Sequence, residues 1–444
     1  MSRLNRAHRK NERGVTMVLV AFSLLALLGM AALAIDIASL YVAHGEAQRA
    51  ANAAALAGAR MFAASGYTSA SASLAATDIC QTSGPGASAA ANRQAEAVAA
   101  QNLIAGQPAA VQSITCDVTP ANPQIAVKVQ RTGLPSFFGR IWGSAANSVS
   151  ATGVAEAYNP SGSTAPIRVK SVKPWLIPDC DPDPLNPGPS DCGPTVGSFV
   201  APADGSIKNN GSFVGEKIIL THVVGAAVPG IMTSPLRLDY YRVNVPIRPP
   251  APICPSAGAV SCGQVGSNDY HDNIACASTF QFSCGQTIGL GQTVTVGGGS
   301  GVLTNEGTRC LIHAGGQGLT VGQDELTSGA PPIRISGGNN NPNPLLQGVT
   351  SISRSDSIVT VPIYHKVGVD PNLCPSGCNQ TATIVGFLQL GLTQNVPPGN
   401  PPLPVANGKV EAVIMNVAGC NPGAGNPTVS GGGVSAIPVR LIHE

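Results

Sequence analysis

VTMVLVAFSLLALLGMAALAI, residues Val15 to Ile35, is a run of 21 residues without a charge. At about 1.5 Å of rise per residue it makes a helix about 31 Å long, which matches the hydrocarbon core of a bilayer. No other segment qualifies; the next longest, Ile218 to Met232, is shorter and carries His222 and Pro229. Before the run lie Arg3, Arg6, Arg9, Lys10 and Arg13, opposed only by Glu12, and the first charge after it is Asp36. The positive-inside rule therefore predicts a cytoplasmic basic tail over 1–14, a transmembrane helix over 15–35 and a non-cytoplasmic remainder. A cleaved signal peptide is the rival reading. The run is long for one, only Ala31-Ala32-Leu33-Ala34 offers a weak cleavage site, and the helical pattern continues unbroken, so a retained signal-anchor is expected.

Outward from the span, residues 37–65 keep strong helix propensity, with no proline before residue 85. Ala43, Ala47, Ala51, Ala55 and Ala59 form one i,i+4 ladder, and Ala50, Ala54 and Gly58 form a second beside it. Small-residue stripes let another backbone approach closely, either a partner helix or the chain's own sheet; alanine also simply stabilises a helix.

A second helix is expected within Ser88 to Ile104, then strands over Val111 to Val118, Gln124 to Arg131 and Ser148 to Tyr158. Ile125, Val127 and Val129 alternate with polar neighbours as a half-buried strand does. Two helices over a small antiparallel sheet would bury these faces in a unit spanning 36–158, pilin-like by analogy. Cys80 and Cys116 are the only cysteines of this unit, so they are expected to pair.

From Asn159 to Glu444 the composition shifts to proline and glycine, which number 37 and 52 in the whole chain of 444 residues. Apolar segments bounded by turn residues recur at Ile218 to Val224, Arg242 to Val245, Thr293 to Val296, Ile358 to Ile363, Thr383 to Leu392 and Val410 to Val417, and long helical patterns vanish. This reads as an all-β body over 159–444. Ten of the twelve cysteines lie in it. Such usage points to export into an oxidising compartment. Neighbours are expected to staple short loops: Cys180 with Cys192, Cys254 with Cys262, Cys276 with Cys284, and Cys374 with Cys378, leaving Cys310 and Cys420 to join distant segments. Spacing does not fix connectivity. The overall class is α+β: an anchor helix running into a small α+β unit, then a disulfide-stapled, mostly-β body.

The run from Arg13 to Arg60 resembles the N-terminal segment of TadG-like proteins of the bacterial Tad (Flp) pilus assembly system. Arg13-Gly14 before the span, Ala34-Ile35-Asp36 at its exit, Leu40-Tyr41-Val42, and Gln48 through Ala59 carry the resemblance. FFGRIWG at 137–143 and SVSATGVAEAYNPSG at 148–162 extend it more loosely. It implies a cell-envelope protein of the inner membrane that contacts other pilus-assembly or secretion proteins. Two departures bear on this. The D-x-S-x-S metal site of longer members is missing, and the fifth residue after Gly14 is Leu19 rather than the glutamate of processed Flp pilins. From the resemblance, Asp36 is a docking charge for a neighbouring helix; from its position alone, it is a polar residue ending the span, the preferred reading because an interfacial charge costs little.

Net charge of +2 and 11% charged residues exclude an electrostatic nucleic-acid binder. No C-x-x-C occurs; Cys310 with His313, and Cys374 with Cys378, would each supply only half a zinc site. Asp179, Asp181, Asp183, Asn186 and Asp191 superficially resemble a calcium loop, but Pro182, Pro184 and Pro187 and the missing turn glycine favour a rigid solvated loop. No G-x-S-x-G elbow is present, and His222, His271, His313, His365 and His443 are scattered. No cofactor, metal or small-molecule substrate is evident. The expected function is non-catalytic participation in pilus assembly or secretion by protein contact. A minor pilin-like subunit and a membrane-tethered envelope enzyme are the alternatives.

Overall fold

The computed structural model describes residues 5–69, 76–119, 122–136, 138–139, 143, 146–163, 168–183, 197–222, 231–233, 236–243, 254, 262, 269–277, 281–289, 300–313, 323–326, 333–341, 343–344, 346–350, 352, 355–365, 381–393, 408–421 and 435–442. One helix, α1 (Asn5–Ala64), carries the apolar run and the alanine ladders without interruption over 60 residues, about 90 Å. It has no proline to break it and ends where Gly66 takes φ +81°. A second helix, α2 (Ala90–Gln101), packs beside it. Strands β1 (Ala110–Asp117), β2 (Gln124–Pro135) and β3 (Ala146–Ala157) follow and pair antiparallel in chain order. Ile125, Val127 and Val129 on β2 are fully buried, as their alternation requires. A disulfide joins Cys80 to Cys116.

The body is built on a barrel. Strands β4 (Trp175–Pro178), β5 (Lys217–His222) and β6 (Leu236–Arg242) precede helices α3 (Asp269–Ala275) and α4 (Ser300–Leu311). Strands β7 (Ile358–His365), β8 (Thr381–Thr393) and β9 (Val410–Gly419) come after. Round the ring, β8 pairs with β7, β7 runs parallel to β4, β4 pairs with β6, β6 runs parallel to β5, β5 pairs with β9, and β9 returns to β8. Ring closure removes the free edges that an open sheet would expose. Trp175, Leu220, Leu238, Tyr240, Val361, Leu390 and Met415 lie in its core.

The expected boundary at 158/159 is crossed by the chain's last described strand. β10 (Val439–Ile442) pairs antiparallel with β3, so the first sheet runs β10-β3-β2-β1 and the barrel is inserted between β3 and β10.

The body also differs from the sequence reading in its helices and disulfides. Helices α3 and α4 were not expected in an all-β body; both are short and interrupted by polar residues and glycine, which blurs their period. They pack on each other and lend Tyr270, Ile274 and Leu311 to the barrel core. Disulfides join Cys254 to Cys276, Cys262 to Cys310, and Cys284 to Cys420, in place of 254–262, 276–284 and 310–420. The reason is the helix pair: Cys276 follows α3, Cys310 lies on α4, and together with Cys262 they are buried in one small cluster. Cross-linking the 136-residue separation of Cys284 and Cys420 removes about 5 kcal/mol of unfolded-chain entropy, against about 2.5 for a loop of eight. Cys180 is disulfide-bonded. Cys192, Cys374 and Cys378 lie outside the described residues, as does the strand expected at Thr293 to Val296.

Non-reducing peptide mapping is expected to recover 254–276, 262–310 and 284–420 linked peptides. Finding 254–262 and 276–284 instead would refute this arrangement of α3 and α4.

Candidate functional site

Among the described residues, one helical stretch is long and apolar enough to cross a membrane: Gly14–Ala64, with mean hydropathy 2.7 in its most apolar window, of which only 6% is buried. Met17, Phe22 and Leu25 are 79%, 68% and 64% exposed, whereas Ala47, Ala51, Ala55 and Ala59 are fully buried and Ala43 nearly so. One helix therefore passes through two environments. Among the described residues, its lower half is largely uncovered by protein, and its upper half is the centre of a protein core.

The change occurs at Asp36. Its carboxylate is 7% exposed and accepts hydrogen bonds from the Ser136 hydroxyl at 3.2 Å, the Phe138 amide at 3.1 Å and the Gly139 amide at 2.8 Å. These donors lie just beyond the end of β2, at the tip of the β2–β3 hairpin. Asp36 thus ends the apolar run, as its position leads one to expect, and its carboxylate is bonded within the chain. It holds the hairpin tip to the helix. A Cβ on Gly139 would lie 2.2 Å from Ser136 Oγ, so the clamp requires glycine there.

Above Asp36 the alanine ladders face inward. They share a buried cluster with Ala91 and Ala95 of α2 and with Ile125, Val127 and Ala155 of the sheet. A Cβ on Gly153 of β3 would fall 2.5 to 2.6 Å from the backbone of Ala51 and Asn52, and the Gln48 amide donates to the Thr152 carbonyl at 2.8 Å. Of the readings open for this stripe, the chain's own sheet and second helix fill it. The family model described as "Putative Flp pilus-assembly TadE/G-like" matches residues 14–61, which are this span and these ladders. The chain carries a TadE/G-like domain. No curated protein and no solved structure matches the chain.

The TadE/G-like helix is locked to the barrel at its far end. Asn416 of β9 accepts from Thr68 at 2.8 Å and Ser69 at 3.0 Å, and donates to the Ala63 carbonyl and to Gln389. Asn159 donates to the Thr68 and Val417 carbonyls, both at 3.0 Å. All these groups are buried, and their mutual bonding offsets the cost of desolvating them.

Elsewhere, the candidate residues lie apart from one another. Of the acidic loop, Asp179 and Asp181 are buried rather than solvated, and Asp179 accepts from the amides of Phe199 and Val200. Burial, with Asp181 and Asp183 nearby, pushes the Glu216 carboxyl up to about 9. Asn186 and Asp191 lie outside the described residues. Among the described residues no group of three His, Cys, Asp or Glu is arranged to hold a metal ion. Lys173 is buried with its ammonium on the carbonyls of Ile274 and Cys276 at the end of α3, where the helix dipole favours a cation. Burial lowers its pKa to about 8. His271 is buried beside Asp272 at 3.0 Å, and His443 lies outside the described residues.

His313 was not singled out for its partners, since Asp324 and Asp356 are remote in sequence. Its Nε2 lies 2.9 Å from Asp356 Oδ2 and its Nδ1 3.4 Å from Asp324 Oδ2. Burial opposes its charge, but the two carboxylates outweigh burial and raise its pKa to about 9. Asp324 also accepts from Ser355, the Gly338 amide and Asn341.

Two outcomes are expected. Asp36→Ala should leave the Phe138 and Gly139 amides unpaired, at a cost of about 1–3 kcal/mol, and raise hydrogen exchange there while barrel strands are unchanged. An unfolded histidine titrates near 6.5, so charged His313 stabilises the fold fully below that pH and loses its contribution as pH rises through about 9. The stability difference between the native chain and His313→Gln, measured by denaturant unfolding, should therefore shrink from pH 6.5 to pH 9; a constant difference would contradict the ion cluster.

Proposed function

We propose that this chain is a non-catalytic, single-pass component of Flp pilus assembly, held in the inner membrane by α1 with its N-terminus in the cytoplasm, and acting through protein contacts made by the barrel body on the other side. The TadE/G-like match over the span and ladders carries the reading. The five basic residues before the span support the orientation, as do disulfides within the body.

A static anchor is favoured over a filament subunit. A subunit that packs into a filament by its upper helix needs that face free, and here the ladder faces are occupied by α2, β2 and β3.

Reporter fusions after residue 160 should be active only outside the cytoplasm. On mechanical shearing, the intact chain should stay with the membrane fraction. Recovery in sheared pili would favour the filament subunit, and a cytoplasmic reporter signal would overturn the topology.

A further inference from the structure

The hairpin tip stands at a defined depth relative to the span. Strands β2 and β3 run alongside α1: Thr152 and Gly153 meet the helix at Gln48 and Ala51, and Ser136, Phe138 and Gly139 meet it at Asp36. From Ala51 down to Asp36 the helix descends about 22 Å, which is within reach of 12-residue strands of about 3.3 Å per residue. Asp36 is the first residue beyond the apolar run. Ala32, one turn deeper on the Asp36 face, is only 7% exposed, while Leu33 and Ile35 beside it are 55% and 52% exposed. Protein therefore covers that face about 6 Å inside the apolar run. If the run spans the bilayer, the tip must lie at the bilayer surface, because it is bonded to a residue of fixed height on a continuous helix.

We infer that the hairpin tip at Ser136, Phe138 and Gly139 is a lipid contact, seated in the headgroup–acyl boundary and pinned there by Asp36. This rests on the membrane anchor proposed above. Irregular backbone at that depth needs its amides satisfied by protein, and the Asp36 carboxylate takes two of them. The residue type at the tip fits: Phe138 is aromatic, and aromatic side chains favour the interface. Phe138 is partly exposed, which leaves ring surface for lipid.

The test uses the full chain in nanodiscs, carrying Trp142→Phe with and without Phe138→Trp. Trp175, fully buried in the barrel, reports folding and serves as the reference. With lipids brominated high on the acyl chain, the added emission at position 138 should be lost and the Trp175 emission kept. Insertion into the disc with unquenched emission at 138 would overturn the inference and leave the anchor standing; the tip would then lie in water or against a protein. Failure of the chain to insert at all would overturn the anchor, and the inference with it.

Discussion

Close approach of α1 to its own sheet is the constraint on which the rest of the structure depends. At the crossing of Ala51 and Gly153 the strand has no room for one more carbon. Alanine on the helix and glycine on the strand let the two backbones meet, and Ala43, Ala47, Ala55 and Ala59 are buried along the same ladder. A large side chain at any of these positions would push the sheet off the helix, since packed interiors do not absorb an extra methylene without strain. The sheet in turn accepts β10, so the position of the ladder decides where the two ends of the barrel body are held.

A second joint fixes rotation. The helix ends in Ser65 to Ser69, and these residues bond β9 through Asn416, Asn159 and Gln389 in a buried polar cluster. Apolar contacts alone would tolerate sliding of the helix end across the barrel wall. Buried amides do not, because each loses a partner when displaced and water cannot replace it. Just past the same end of β9, Cys420 is joined to Cys284. The helix, β9 and β3 therefore form one frame. Force or displacement at the membrane passes into the barrel without crossing a loop hinge, because α1 is unbroken from Asn5 to Ala64.

Legibility in the sequence followed the length of the signal. The span, the ladders and β2 repeat one residue class at a fixed period over many residues, and all three were readable. Of the barrel strands, β5, β7, β8 and β9 are legible as apolar runs, whereas the short β4 and the mixed β6 are not; β7 and β9 are buried on almost every residue, because a wall of the barrel also packs outward. Barrel closure depends on pairings such as β4 with β7, remote in the chain and carried by two residue pairs. No local pattern encodes that. Cys80–Cys116, alone in its unit, is legible, but in the body closeness in sequence is not closeness in space, and α3 and α4 bring Cys276 and Cys310 to partners elsewhere. The role of Asp36 was hidden because its donors are backbone amides a hundred residues on, and backbone amides have no letter in the sequence.

The reach of the family match has a structural explanation. Residues 14–61 cover the span and the ladders and stop before the helix meets the barrel. Span length is set by the bilayer and ladder composition by the helix–sheet gap, and neither depends on what is inserted between β3 and β10. The insert has different obligations. It must close its own barrel and hold its long connections by disulfides. A membrane-anchored mast with a fixed sheet can carry many such inserts, because both ends of the insert leave from neighbouring strands, β3 and β10, of one sheet. The insert can then vary while the packing of helix on sheet set by Asp36 and the ladders stays the same.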